Sequence, residues 1–248
     1  MKTVTLKIKR QDSPSAAPRW EEFTVPWEER LNVHAALMAI QRQPKTTSGQ
    51  KTTPVAWDAN CLEEVCGSCT MIINGQVMQA CSTLTDSLGD GPIELRPMTK
   101  FPLIRDLCVD RTRIFSDFKR VHAWIDIDGT HDLGPGLRQK PELADTRYEL
   151  SRCMACGCCL EACPNYGPQS QFMGAAPISQ ARLFNMHPSG EMHKEERLEA
   201  LMEDGGVEGC GNAQNCVQVC PKEIPLTTSI ADMNGQTAKF ALSTLFRR

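Results

Sequence analysis

Four cysteines stand in the pattern C-x4-C-x2-C-x11-C, at Cys61, Cys66, Cys69 and Cys81. That spacing constrains the chain more tightly than any hydrophobic pattern in it. The opening C-x4-C-x2-C is the spacing that wraps a loop round a [2Fe–2S] cluster, with a fourth thiolate returning from further along. Iron takes soft, deprotonated sulfur ligands, and the loop must bring its backbone close to the inorganic sulfides. Gly67 and Ser68, between Cys66 and Cys69, are small enough for that approach. The bland alternative is a structural zinc site, but zinc motifs usually pair two short C-x2-4-C knuckles, and a C-x4-C-x2-C triplet does not fit them.

A second group lies in the other half of the chain. Cys153-x2-Cys156-x2-Cys159-x3-Cys163-Pro164 is the complete bacterial ferredoxin run, in which three cysteines hold one cluster and the fourth crosses to another. The return run is Cys210-x5-Cys216-x3-Cys220-Pro221, and superimposing the forward spacing on it leaves one position without a thiol, Ala213. Cys153, Cys156, Cys159 and Cys220 then make a four-thiolate [4Fe–4S] site. Cys163, Cys210 and Cys216 are left with three, and a [3Fe–4S] cluster is expected there. The competing possibility is a [4Fe–4S] cluster with water or a non-Cys side chain as its fourth ligand. Of the thirteen cysteines, eleven are thus candidate ligands. Cys158 sits out of register and reads as a buried thiol, and Cys108 has no neighbour in sequence to ligate with.

The cysteine count also bears on environment. The N-terminal MKTVTLKIKR has lysines interleaved through an alternating pattern and no apolar core of signal-peptide length, so metal is expected rather than disulfides. The longest apolar-rich stretches, such as Val33–Ile40, fall far short of the roughly 20 residues that span a bilayer, so membrane association is expected through a partner. A net charge of −3 gives no basic footprint, and no nucleic-acid partner is expected. There is no G-x-G-x-x-G after a strand and no G-x4-G-K-[ST], hence no nucleotide, nicotinamide or flavin site. No acid–base constellation stands out, and no catalytic residue is assigned. His34 reads as a partly buried packing residue, and His187 and His193 as solvated or capping residues. Such a chain holds one-electron carriers and has no substrate-oxidising site of its own.

The first hundred residues read as strand around one helix. Val4, Leu6 and Ile8 alternate with polar residues, as do Phe23 and Val25, with a Pro/Ser/Ala-rich loop over Asp12–Arg19. Asn32 is placed to cap a helix over Val33–Gln43, which Pro44 stops. Met71–Met78 reads as a hairpin on an Asn-Gly turn, and Ile93–Arg96 as a last strand. From about Ile104 the pattern becomes loosely helical through Leu107, Ile114, Phe118, Val121 and Trp124. A turn-rich linker follows at Gly129–Gly136. Helices are expected near Pro141–Ser151, Ile178–Asn185, Lys194–Glu203 and Thr227–Phe246.

Taken together, CLEEVCGSC at Cys61–Cys69, FPLIRDLCVDR at Phe101–Arg111, CMACGCCLEACP at Cys153–Pro164 and CGNAQNCVQVCPKEIP at Cys210–Pro225 resemble the iron–sulfur subunit of succinate dehydrogenase and fumarate reductase, over nearly the whole chain. The resemblance implies an α+β fold: an N-terminal β-grasp plant-type ferredoxin domain over residues 1–106, then an α-helical bacterial-type ferredoxin domain over 107–248. It implies a flavoprotein partner with covalent FAD, a haem-bearing cytochrome b membrane anchor, and a place on the cytoplasmic face of the cell membrane. Electrons would pass from FAD through [2Fe–2S], [4Fe–4S] and [3Fe–4S] to quinone, or in reverse in a quinol:fumarate reductase. Ubiquinone-using members carry a His after the first Cys of the return run and a Trp shortly after the forward Cys-Pro. Here stand Gly211 and a Trp-free PNYGPQSQF, which look more like the Gram-positive branch with a diheme anchor and menaquinone near the [3Fe–4S] cluster, around Pro164 and Gly211. A subunit serving another flavoenzyme, such as a soluble thiol-linked fumarate reductase, and a zinc-stabilised scaffold are the remaining alternatives.

Overall fold

The computed structural model describes residues 2–126 and 139–246. The expected linker at Gly129–Gly136 lies outside them. The protein divides into two compact units, one of residues 1–111 with 154–161, the other of 112–153 with 162–248.

The first unit is built on a five-stranded mixed sheet. β1 (Thr3–Arg10) alternates as its sequence requires, with Leu6 and Ile8 fully buried. It runs antiparallel to β2 (Arg19–Pro26), setting Leu6 opposite Phe23. The helix α1 (Val33–Arg42) begins where expected: Asn32 Oδ1 accepts from the Ala35 N–H at 2.8 Å. It contributes Val33, Ala36, Leu37 and Ile40 to the core. β3 (Thr70–Ile73) and β4 (Gln76–Gln79) form the expected hairpin, with Asn74 and Gly75 both at positive φ. β5 (Ile93–Arg96) then runs parallel to β1 and antiparallel to β3, giving the order β2-β1-β5-β3-β4. A helix crossing a sheet whose first and last strands lie side by side in parallel is the β-grasp arrangement.

The loosely helical stretch expected from about Ile104 is corrected at its start. Leu103–Arg105 (β6) and Cys108–Val109 (β7) form a small antiparallel hairpin, and helix begins only at α2 (Thr112–Arg120). The cause is Asp106 in the turn. It is fully buried at φ +49, and its carboxylate accepts from Arg10 Nε and the N–H groups of Gln11 and Ala56, each at 3.0 Å. Those bonds satisfy a buried charge only in the hairpin conformation.

The second unit is helical. It contains α2, α3 (Pro141–Ser151), α5 (Ala175–Asn185), α6 (Lys194–Met202), a short α7 (Asn215–Gln218) and α8 (Leu226–Phe246), while the single-turn α4 (Cys158–Glu161) belongs to the first unit. Pro141 sits at the first turn of α3, where its missing N–H costs nothing. α5 and α8 pack through Ser179 and Ser229, whose hydroxyls lie 3.2 Å apart, and through Arg182 Nε on Asp232 at 3.0 Å. Among the described residues, no helix is long and apolar enough to cross a membrane.

Candidate cluster-binding sites

The loop carrying Cys61, Cys66 and Cys69 is shaped to aim its amides inward. Leu62, Glu64 and Gly67 all take positive φ, which reverses the direction of successive N–H groups. As a result the N–H groups of Glu63, Val65 and Cys66 donate to Cys61 Sγ at 3.4, 3.3 and 3.3 Å. Those of Cys61 and Ser68 donate to Cys66 Sγ, both at 3.4 Å. A neutral thiol is a weak acceptor, so five amides on two sulfurs suit charged thiolates rather than resting thiols. Burial pushes Cys66 up, but bonds from Ser68 and the Cys61 amide outweigh it and bring the thiol down to about 6. Burial pushes Cys69 up to about 12. Cys81 follows β4, and its carbonyl is held by Asn32 Nδ2 at 2.9 Å. Amides converging on sulfur, in a loop without basic ligands, fit a cluster held by thiolates.

The segment 154–161 packs in this same unit. Gln79 Nε2 reaches both Cys158 Sγ and Thr70 Oγ1 at 3.1 Å. Buried Glu161 accepts from the N–H and hydroxyl of Thr99 and from the Lys100 N–H. A Cβ on Gly67 would stand 2.6 Å from Cys156 Cα. Cys158 is fully buried and held protonated by its hydrogen bond to Cys156 and by burial. The same bond lowers Cys156 to about 7. Of this hydrogen-bonded pair, the thiol left out of register by spacing is therefore the one that holds the proton. Cys159 is buried beside them in sequence, while Cys153 and Cys220 are half-buried in the second unit.

In the second unit Cys163, Cys210 and Cys216 line one cavity together with Ala213. Cys163 enters from the end of the forward run, Cys216 from α7, and Cys210 from the loop before it. That loop turns through Asn212 and Gln214, both at positive φ, which leaves Ala213 exposed. Asn165 Nδ2 donates to the Gly209 carbonyl at 2.8 Å and Asn215 Nδ2 to the Ala162 carbonyl at 3.0 Å, fixing the two runs against each other. Cys108, which has no role by spacing, donates its thiol to Asp58 at 3.1 Å, and burial and that carboxylate push it up to about 12.

Several residues that frame these sites had no signal in the sequence. Arg113 donates to the carbonyls of Gly167, Ser170 and Phe172 at 2.6–3.0 Å and lies over the Tyr166 ring at 4.4 Å, so it gathers the loop after Cys163. Arg111 does the same for the Gly67 carbonyl. His34 is half-buried edge-on to Trp57, and His187 caps Ser189, as expected. His193 stands at the N-cap position of α6, but its side chain makes no capping bond. It is bonded to two carboxylates, Asp126 and Glu196.

One consequence of this framing is a pH effect. Asp117 lies beside Arg113, and burial pushes its carboxyl up to about 6, against partial opposition from Arg113 and Arg120. A carboxyl raised in the folded state favours the protonated form, so its contribution is full below about 4 and is lost as pH rises through 6. Asp117→Asn is expected to raise the unfolding midpoint at pH 7.5, by on the order of 1–2 kcal/mol of stability, and to leave it unchanged at pH 4. Thermal unfolding at the two pH values checks this, and an equal effect at both would refute it.

Comparison with known proteins agrees with the geometry. A model of the 2Fe-2S iron-sulfur cluster binding domain matches residues 5–116, and one of the 4Fe-4S dicluster domain matches residues 149–224. The order is that expected of an α+β chain with two ferredoxin domains. The chain is 57% identical to the succinate dehydrogenase iron-sulfur subunit of Bacillus subtilis, over 99% of this chain and 96% of that one. It is 34% identical to the fumarate reductase iron-sulfur subunit of Wolinella succinogenes, over 92% and 94%. A chain in the solved structure of the Mycobacterium smegmatis Sdh1 complex in the apo form shares the fold, with a TM-score of 0.79 over 96% of each chain at 24% identity. On the cysteine runs, the sulfur-directed amides and these full-length likenesses, the chain belongs to the family of succinate dehydrogenase and fumarate reductase iron–sulfur subunits.

Proposed function

We propose that this subunit carries electrons in a membrane-bound succinate:menaquinone oxidoreductase, with its ferredoxin domains over residues 1–106 and 107–248. Cys61, Cys66, Cys69 and Cys81 hold a [2Fe–2S] cluster; Cys153, Cys156, Cys159 and Cys220 a [4Fe–4S] cluster; and Cys163, Cys210 and Cys216 a [3Fe–4S] cluster. These groups supply one-electron carriers of differing potential. The chain's own work is to hold them, to direct amides at their sulfurs and to keep bulk water from them, the levers by which a protein sets cluster potentials.

The observation that carries the reading is Ala213 in the cavity of Cys163, Cys210 and Cys216. A methyl group at the corner where the forward run has a thiol suits a three-iron carrier. The partners in this reading are a flavoprotein with FAD and a haem-bearing cytochrome b anchor, which holds the subunit at the cytoplasmic face of the membrane with menaquinone near the [3Fe–4S] cluster. The greater identity to a succinate dehydrogenase than to a fumarate reductase subunit favours succinate oxidation over the reverse.

EPR of the oxidised and dithionite-reduced complex tests the assignment directly, with iron, sulfide, flavin and haem analysed on the same sample. The expected result is a three-iron signal when oxidised, two further signals on reduction, and flavin and haem in the preparation. Zinc without sulfide would end the electron-carrier reading, and flavin without haem would point to the soluble type.

A further inference from the structure

In the second unit, away from the cysteine runs, five side chains form one closed network. Glu196, in the first turn of α6, places Oε2 at 3.3 Å from His122 Nδ1 and Oε1 at 3.2 Å from His193 Nδ1. His193 turns its other nitrogen, Nε2, to Asp126 Oδ2 at 2.6 Å. Asp126 is in turn held by the Trp124 indole N–H at 3.1 Å on Oδ1. The rings are stacked in series: Trp124 lies 4.9 Å from His122, and His122 lies 6.1 Å from His193 at an interplanar angle of 15°.

The backbone beneath is built rather than incidental. His122 stands at φ +46, in the left-handed region that a non-glycine residue enters only when its surroundings hold it there. The fully buried Arg197, one residue beyond Glu196, holds it: Nε donates to the His122 carbonyl and Nη2 to that of Trp124, both at 2.9 Å. One helix therefore supplies a carboxylate to both imidazoles and clamps the segment that carries the first of them.

We infer that His122, His193 and Glu196 form a binding site for one divalent cation of the zinc class, with Asp126 as the carboxylate that orients His193. One ligand atom from each of the three residues lies within 4.8 Å of the others. Tetrahedral zinc, with ligand bonds of ~2.0–2.1 Å, needs ligand atoms about 3.3–3.4 Å apart. The two His–Glu contacts, at 3.3 and 3.2 Å, run to different oxygens of the carboxylate, so the three ligand atoms must draw in from within 4.8 Å of one another, a movement the exposed Glu196 side chain can make. Two imidazoles and one carboxylate favour zinc, copper or nickel over the oxygen-seeking magnesium and calcium. Asp126 on the far nitrogen of His193 supplies the outer partner that metal-bound histidines almost always have, which fixes the tautomer so that Nδ1 is free to ligate. Binding replaces the proton that each His–Glu hydrogen bond needs, so uptake releases protons. Glu196 and Asp126 are exposed, so the ion can enter from solvent.

The test uses the full complex with its iron–sulfur clusters loaded, in a Cys108→Ser background to remove a competing thiol, dialysed against micromolar zinc and analysed for retained metal. The expected result is one zinc per chain, retained equally by the wild type and by a His187→Ala control, whose histidine is not among the ligands. Glu196→Gln and His193→Ala are expected to lose it, and Asp126→Asn to bind about 10–100-fold more weakly. Zinc should also raise the thermal midpoint of the wild type but not of Glu196→Gln, an exposed substitution that leaves the fold intact. No retained zinc in the wild type, or equal zinc in wild type and Glu196→Gln, would overturn the site.

Discussion

Gly67→Ala is expected to abolish the [2Fe–2S] signal of the reduced complex and to destabilise the first unit by about 2–5 kcal/mol. Two independent effects add at this position. The residue sits at φ +70, where an L side chain costs roughly 1–2 kcal/mol. Its Cβ would also stand 2.6 Å from Cys156 Cα, 2.7 Å from Cys156 Cβ and 2.9 Å from the Met154 carbonyl oxygen. Those are mostly backbone atoms, so no rotamer change relieves the clash and one of the two segments must shift. The Gly67 carbonyl is meanwhile fixed by Arg111 Nη1 and by the Thr70 hydroxyl at 2.8 Å, which resists movement of the loop. A loss of that size is a large fraction of the roughly 5–15 kcal/mol that holds an ordinary domain together. Gly75 supplies the control. It has φ +81 in the β3–β4 turn, but a Cβ there meets nothing within 4 Å, so Gly75→Ala should cost only about 1 kcal/mol and keep the cluster. Thermal unfolding and reduced-state EPR on both variants decide the matter: equal costs would show that the close approach to Cys156 is not what Gly67 is for.

The contrast between these two glycines shows which parts of the protein were legible in its sequence. Gly75 announces itself, because an Asn-Gly pair between alternating segments is a local turn signal. Asn32 as a cap and Pro44 as a stop are equally local, and all three stand where they were expected. The cysteine runs are legible for another reason: metal ligation imposes short, fixed spacings that chance rarely produces. Gly67 could be read as a residue permitting a tight loop, but its neighbour across the gap, Cys156, lies far along the chain and no pattern links them. Arg113, Asp106 and the His122–Glu196 network are of the same kind. Their partners are backbone carbonyls, amides and side chains brought near by tertiary packing, and a buried arginine looks in sequence like an exposed one. The hairpin at Leu103–Val109 was hidden because its determinant, the Asp106 carboxylate, is satisfied by Arg10, Gln11 and Ala56, from distant parts of the chain. Single-residue signals and ligand spacings survive in a sequence, whereas the polar contacts that close a fold are visible only once it is folded.

On the proposed ligation, Ala213→Cys is expected to remove the three-iron EPR signal of the oxidised complex and to replace it with a signal that appears on reduction. Position 213 is where the forward spacing puts a thiol, and Ala213 lines the same cavity as Cys163, Cys210 and Cys216. Because Ala213 is exposed, the substitution should change stability by no more than about 0.5 kcal/mol. Loss of the signal would then report ligation rather than damage to the fold. A fourth thiolate adds a negative charge at the site, which stabilises the oxidised cluster and lowers its potential. Transfer of electrons from succinate to a quinone acceptor should therefore slow, while succinate-dependent reduction of the [2Fe–2S] centre is unaffected. Ala213→Ser separates ligation from bulk, since a hydroxyl of similar size is a poor ligand for iron in such a cluster and should leave the three-iron signal in place. If Ala213→Cys kept the wild-type signal in full, the vacant corner would not be at residue 213. If both variants lost it, space at that position, and not the missing thiolate, would be what the three-iron site requires.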